Sequence, residues 1–480
     1  MQCCNKIRLW KLFLNTDFYI YGSKYHWVDR TKRYLKTQVE NQNIDYSSNS
    51  KDFLKSKNIL MTSDLSPGSV FMLPNGTRIY NKLLEFIKTQ CKVYGYQEVM
   101  SPMIYKKTLW DKSGHWDNYK NEMFEVTGRG ALGDGKKENY LQNETYGLKP
   151  MNCPGHCLIY SSTERSYRDL PIRYTDFGAL HRNEPSGSLS GLTRLRQFHQ
   201  DDAHIFCRQS QIFDEISSVL NMIEMVYSIL GFSSYEYFLS TRPTKFVGAL
   251  EDWDKAEEAL KQALDTKKRQ WSYNEKNGAF YGPKIDLLLT DKAGKKHQMA
   301  TIQLDFQLPL RFKLKYRSPF ENNMNDTPKG LSVMKTPVII HRAIFGSIER
   351  MMALLLEYTE GKMPFWLSPH QAIIIPIGGQ DIMAYANDVY YQISGIKNNP
   401  HVLQSIHKRI FYIDIDLSQR TLSKMIREAW IKAYNFIIVI GDRELKTKTV
   451  SVRCRNNKEQ KIMQPKDVYN MFINLEASYE

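Results

Sequence analysis

Residues 173–206 read RYTDFGALHRNEPSGSLSGLTRLRQFHQDDAHIF. Apolar residues at strand-like spacing open the stretch, from Arg173 to Leu180. Pro185, Ser186, Gly187, Ser188, Ser190 and Gly191 then break the pattern, which resumes at Leu195 and Phe198. The simplest reading is strand, long loop, strand. Arg182 and Glu184 fall where the first strand gives way, and Arg194 and Arg196 where the second begins. A loop with several guanidiniums can grip a polyphosphate, because each planar fork pairs with two phosphate oxygens at once. For an isolated R-x-E the plain alternative is a hairpin with solvated charges.

The surrounding chain has 480 residues, which implies two or three domains, and its apolar content of 42% is ample for globular cores. Its net charge of +15 favours a polyanionic partner, nucleic acid or anionic membrane. No apolar run approaches the length of a membrane-spanning helix, so no membrane insertion is expected. The seven cysteines include no CxxC pair, which points to a reducing compartment rather than a disulfide framework.

The first residues carry Lys6, Arg8, Lys11 and Lys24 against a single acid, Asp17. Such a start is compatible with a mitochondrial presequence or with a frayed basic tail. Residues 36–58 are polar and read as a linker. Ile79, Leu83, Ile87 and Cys91 recur at helical spacing, giving an amphipathic helix over 77–94 and then a strand from Tyr96 to Met100. The Gly-rich segment 127–147 lacks the strand–helix context of a phosphate loop. Cys153 and His156, three apart, allow a pair of metal ligands or merely a buried thiol and a turn histidine. No short-spacing zinc rule joins His204 or His341 to Cys153. In the strand around 298–306, Gln298 and Gln303 are polar residues facing either a ligand or solvent. Arg350 lies on an otherwise apolar helix, where a guanidinium needs an anion or a route to water. After Pro364 and Pro369, strands alternate with helices, implying a small α/β domain with a largely parallel sheet and a Lys/Arg-rich surface.

Taken together, KPMNCPGH (149–156), HRNEPSGSLSGL (181–192), QDDAHIF (200–206), FYGPKI (280–285), QLDF (303–306) and HRAIFGSIER (341–350) resemble the threonyl-tRNA synthetases, a family of class II aminoacyl-tRNA synthetases. The resemblance covers residues 60–480 in order. It implies an α+β fold: a catalytic domain built on an antiparallel sheet flanked by helices, then a small α/β anticodon-binding domain. The boundaries it suggests are 1–60 for presequence and linker, 61–367 for the catalytic domain and 368–480 for the anticodon-binding domain. The implied reaction joins L-threonine to tRNA(Thr) through threonyl-adenylate, with ATP and its Mg2+.

By the same resemblance, Arg182 holds the α-phosphate, Glu184 accepts from the adenine amino group and Arg194 grips the γ-phosphate. Phe198 stacks on adenine, and Arg350 covers its other face and reaches the γ-phosphate. Cys153, His204 and His341 are implied ligands of one Zn2+ per chain, which takes the threonine amine and hydroxyl. Gln200, Asp202, Tyr281 and Gln303 surround threonine, with Met151 as an apolar wall. Lys284 lies near the carboxylate or phosphate, and His115 is a proton acceptor or relay when the tRNA ribose hydroxyl attacks. Residues 77–102 match the segment that forms a homodimer. Too little chain precedes Ser66 for the editing domain of bacterial and cytosolic relatives, so serine misactivation and a mitochondrial location, rather than a cytoplasmic one, are expected. A non-catalytic RNA-binding paralogue, or a ligase for serine or proline, are the competing readings. The set Cys153, His204 and His341 argues against both.

Overall fold

The structure, a computed structural model, describes residues 58–127, 145–267, 269–319, 332–418, 420–457 and 459–480. The basic N-terminus, most of the 36–58 linker and the body of the Gly-rich 127–147 segment lie outside the described residues. No described helix is long and apolar enough to cross a membrane.

The first long helix, α1 (Pro74–Val93), starts three residues earlier than the apolar spacing indicates, with Pro74 in its first turn. Proline lacks the N–H that a first turn leaves unbonded, so it opens a helix well. Asn75-Gly76-Thr77 therefore lies inside the helix. Gly76 is there for space: a Cβ would sit 2.1 Å from the Ile59 carbonyl oxygen, which Leu73 N–H fixes at 2.9 Å.

Eight strands form the larger sheet. In chain order they are β1 (Gln97–Glu98), β2 (Ile172–Asp176), β5 (Asp202–Cys207), β6 (Glu236–Ser240), β7 (Trp271–Asn274), β8 (Lys284–Thr290), β9 (Lys296–Asp305) and β10 (Val338–Ala343). The two intervening strands, β3 (Ala179–His181) and β4 (Gln197–His199), form a separate hairpin around the 182–196 loop. Spatial order in the large sheet is β7-β6-β8-β9-β10-β5-β2-β1. All pairings are antiparallel except those at the two edges, β7 with β6 and β1 with β2. Helix α2 (Cys153–Ser161) precedes β2; α3 (Ile212–Ile229) and α4 (Leu250–Asp265) follow β5 and β6; α5 (Ile348–Tyr358) follows β10. Ile216, Val219, Leu220 and Ile223 of α3 and Met351, Met352 and Leu355 of α5 pack with Ile205, Ile302 and Ile340 of the sheet in one apolar core.

The second sheet has the order β12-β11-β13-β14-β15, from β11 (Ala372–Pro376), β12 (Ile413–Ile415), β13 (Phe436–Ile440), β14 (Val450–Cys454) and β15 (Gln460–Met463). It is half parallel, not largely so: β12–β11–β13 run parallel, whereas β13–β14–β15 are antiparallel. The reason is chain length, because a parallel crossover needs a dozen or more residues. Only the short segment 441–449 joins β13 to β14. Helices α6 (Gln380–Ser394), α7 (Leu422–Ile431) and α8 (Pro465–Ala477) cover this sheet.

Helix α1 braces both sheets. It bonds the elements around the second through Lys82 to Glu476 of α8, Glu85 to Arg409 of the loop before β12, and Arg78 Nη1, which donates to Pro369 O at 3.0 Å just ahead of β11. Replacing Gly76 with alanine gains roughly 0.5–1 kcal/mol of helix preference. Against this, the Cβ overlaps a fixed carbonyl, and overpacking costs about 1–3 kcal/mol. Gly76→Ala is therefore expected to lower the urea midpoint of the first unfolding transition; a raised midpoint would contradict the packing described.

Candidate active site

Strand register assembles residues that the sequence keeps far apart. His204 stands opposite His341, His341 opposite Gln303, and Gln303 opposite Lys284. Opposed residues share a sheet face, and successive residues alternate faces. The next row, Ala203, Arg342, Ile302 and Ile285, therefore points the other way, into the core. One transverse row thus carries two imidazoles, an amide and an ammonium to a single surface.

Helix α2 brings Cys153 to this row. One donor atom each from Cys153, His204 and His341 lies within 4.8 Å of the others, and all three residues are buried. Burial, with His341 and His156 adding to it, holds the His204 imidazole well below its ordinary pKa, so it is neutral and keeps a lone pair. His341 Nε2 lies 2.9 Å from Asp305 Oδ2, leaving Nδ1 as its other donor atom. Burial, then Asp202, pushes the Cys153 thiol up, so a cation binding there displaces a proton. A thiol and two imidazoles suit zinc; magnesium and calcium prefer oxygen. The residues present therefore fit a zinc ion.

The whole cavity is about 550 Å³ in volume, and away from the Cys–His–His set it is cationic. Arg182, Arg194 and Arg350 all line it. Burial, then the charges of Arg182 and Arg194, lower the pKa of Arg350. Its guanidinium is tethered by Nε to Thr193 O at 3.0 Å and by Nη1 to Gln298 O at 2.6 Å. Helix α5 starts with Ser347 capping the Arg350 N–H at 3.1 Å, which sets where the side chain emerges. Three crowded guanidiniums repel one another unless an anion enters. Arg182 lies over the Phe198 ring at 5.0 Å. Arg194 Nη2 lies 2.8 Å from Glu184 Oε2, so these two side chains pair with each other. Arg196 does not face the cavity. It braces the loop instead, donating to Glu184 O at 2.9 Å and Pro67 O at 3.2 Å.

Between the two ends, Gln200 Nε2 donates to Gly346 O at 2.7 Å, and Asp202 Oδ2 accepts from Asn152 at 3.1 Å. Burial raises the pKa of Asp202. Tyr281 O–H donates to Gln303 Oε1 at 2.6 Å, which explains the polar residue between Ile302 and Leu304. Met151 lines the wall. Lys284 Nζ is held 3.0 Å from Asp286 Oδ2.

Every site residue anticipated from the sequence lines this cavity except His115. His115 is only 1% exposed. Its Nδ1 lies 2.7 Å from Ser113 Oγ and its Nε2 3.8 Å from Cys153 Sγ. Tyr119, which does line the cavity, stacks on its ring at 6.0 Å. Burial, then His341, lowers its pKa to about 3. An immediate encounter between His115 and a substrate hydroxyl is thus not available in this conformation.

The sequence reading passed over Asp286 and Asp305. Asp286 accepts from Gln298 at 2.6 Å, Ser240 at 2.9 Å and Thr301 at 3.1 Å. Asp305 accepts from Gln307 N at 2.7 Å and Leu308 N at 3.0 Å as well as holding His341. In each case the available signal was an acid flanked by apolar residues in a strand, which burial makes costly unless it is bonded.

Comparison with known proteins agrees with this architecture. The family model "tRNA synthetase class II core domain (G, H, P, S and T)" matches residues 136–359, and "Anticodon binding domain" matches 371–475. The chain is 49% identical over 397 residues to a Schizosaccharomyces pombe protein named "Probable threonine--tRNA ligase, mitochondrial", covering 82% of each chain. It is 45% identical over 441 residues to the mitochondrial threonine–tRNA ligase of Saccharomyces cerevisiae, covering 88% of this chain and 90% of that one. Among solved structures, the RNA-binding domain of a Cryptosporidium parvum threonyl-tRNA synthetase aligns with a TM-score of 0.78 and 42% identity, over 89% of this chain and 98% of that one. With a class II core, an anticodon-binding domain and these relatives over four fifths of its length, the chain belongs to the threonine–tRNA ligase family.

Proposed function

We propose that the chain makes threonyl-adenylate in this cavity and passes the threonyl group to tRNA, with zinc selecting the amino acid. The observation that carries the reading is the division of one cavity into a guanidinium trio at one end and a Cys–His–His donor set at the other. In the first step a threonine carboxylate oxygen attacks the α-phosphorus of ATP, and the bond to pyrophosphate breaks. In the second, a ribose hydroxyl of the tRNA 3' end attacks the carbonyl carbon, and AMP leaves.

Positioning and charge neutralisation are the chain's contribution. Arg182 takes the α-phosphate, while Phe198 and Arg350 sandwich adenine. ATP entry exchanges partners: the adenine amino group replaces Arg194 at Glu184, and the γ-phosphate, with its Mg2+, replaces Glu184 at Arg194. Lys284, steadied by Asp286, neutralises the carboxylate or α-phosphate. Cys153, His204 and His341 would hold zinc, which would supply a Lewis acid toward the threonine amine and hydroxyl. Gln200, Asp202, Tyr281 and Gln303 orient those groups, and Met151 limits the methyl side. His115 reaches the ribose hydroxyl only after the turn at residues 115–119 has moved.

Valine lacks the hydroxyl and leaves polar groups unpaired, which such a site rejects strongly. Serine lacks only a methyl, a difference worth roughly 10–200-fold. Amino-acid-dependent ATP–pyrophosphate exchange on purified protein tests this. Strong exchange with threonine, weaker but real exchange with serine and none with valine are expected. Arg350→Ala is expected to lower kcat/KM for ATP by about 10²–10³-fold, the usual cost of losing one charge-stabilising donor. Exchange with valine, or a silent serine lane, would contradict the zinc-based selection.

The Schizosaccharomyces pombe and Saccharomyces cerevisiae relatives, matched over most of their length, are both named as mitochondrial threonine–tRNA ligases, and we place this chain in the matrix. Val93 and Met100 are 73% and 89% exposed in the 77–102 segment, apolar surface suited to a second copy. Cell fractionation is expected to recover the protein in the matrix, and sedimentation to give a dimer; a cytosolic monomer would contradict both assignments.

A further inference from the structure

His156 takes part in no step above. It lies on α2 one turn after Cys153 and is fully buried. Its Nδ1 lies 2.8 Å from Nδ1 of His204, with the two rings nearly perpendicular at 87°. Only one proton fits between two imidazole nitrogens, so one ring donates and the other accepts. If His204 offers its Nε2 lone pair to a cation, its Nδ1 carries the proton and donates. Among the described residues no group hydrogen-bonds to that Nε2, and Asp202 Oδ1, at 3.9 Å, is beyond hydrogen-bond reach. Nδ1 of His156 must then accept, and the His156 proton must sit on Nε2.

The far side of His156 favours that arrangement. Its Nε2 is buried with no hydrogen-bond partner in this conformation, and Asp176 Oδ2 lies 3.8 Å away. Asp176 is a fixed carboxylate at 1% exposure. It accepts from Ser101 N at 3.0 Å, Ser101 Oγ at 2.6 Å and Gly178 N at 2.7 Å, with Lys149 Nζ at 3.5 Å. Burial raises its pKa, but the neighbouring His156 imidazole, the hydrogen bonds from Ser101 and the Lys149 charge outweigh it and hold the carboxyl below its usual range. The opposite tautomer would aim the Nε2 lone pair at this negative charge.

We propose that His156 is a positioning residue for the metal site. Asp176 selects its tautomer, and His156 in turn fixes the tautomer and ring plane of His204, so that His204 Nε2 faces the cation. The inference rests on the zinc reading of Cys153, His204 and His341. Sequence spacing left His156 open as a ligand beside Cys153; the geometry places it behind a ligand instead.

The test uses the full-length protein and two variants. His156→Leu removes the acceptor. His156→Asn keeps an acceptor oxygen near the position of Nδ1. Zinc affinity is read by competition with a chromophoric chelator, and the site's geometry by the visible spectrum of cobalt(II)-loaded protein. His156→Leu is expected to bind zinc about 10–100-fold more weakly, the usual effect of losing a partner behind a metal ligand. Its cobalt spectrum is altered, and KM for threonine rises with KM for ATP unchanged. His156→Asn is expected to stay within a few-fold of the parent. If His156→Leu fails to fold, His156→Asn decides: retained zinc supports the inference, and lost zinc overturns it. Parent-like zinc affinity in a folded His156→Leu overturns the role of His156 while leaving the zinc reading intact. A parent protein that binds no zinc overturns both.

Discussion

The register between β5, β10, β9 and β8 is the constraint on which the rest of the molecule depends. A slip of one residue would send His204 or His341 into the core and bring Ala203 or Arg342 to the cavity. The buried pair Arg342–Asp201 opposes such a slip. Arg342 Nη1 donates to Asp201 O at 2.7 Å, and Asp201 accepts from the backbone N–H groups of Ile344 and Phe345 at 2.7 and 2.9 Å. The same guanidinium lies 4.2 Å over the Tyr96 ring and 3.0 Å from Cys91 Sγ, so it also ties β10 to the end of α1. Burying two charges is costly, and such pairs often contribute little net stability. Here the pair acts by specifying geometry, since a slip that moved Arg342 to the other face would part the guanidinium from the carboxylate.

From that row the cavity divides into two electrostatic regimes. At one end, burial keeps His204 neutral and Cys153 protonated, which is the state that a soft divalent cation can enter by displacing one proton. At the other, three guanidiniums are held by backbone carbonyls and by Glu184, so positive charge is concentrated before any phosphate arrives. The Glu184–Arg194 pair limits the repulsion in the meantime. On the proposed reading its two members go to opposite ends of ATP, so the nucleotide would replace an internal contact rather than fill vacant space.

Much of this was legible from the chain. The strand–loop–strand reading of residues 173–206 locates Arg182, Glu184 and Arg194 correctly, because turn residues and apolar spacing are local signals. Arg350 announced itself as a charge on an apolar helix. The Cys–His–His donor set could not be joined by spacing, since Cys153, His204 and His341 meet through strand register and a helix crossing, and only family resemblance connected them. Asp286, Asp305 and His156 act on side chains that already touch the cavity, and one chain carries no pairing information for them. The mixed second sheet was misread because strand content is local, whereas direction depended on the shortness of 441–449. His115 was placed by analogy; its burial behind Tyr119 follows from packing that composition does not encode.

The most direct test of the central claim is X-ray absorption at the zinc edge on purified protein, with and without threonine. The account expects one zinc per chain with one sulfur and two imidazole nitrogens among its ligands. It also expects added threonine, but not valine, to change the remaining nitrogen and oxygen coordination. Absence of zinc, a sulfur-free shell, or a spectrum indifferent to threonine would contradict it.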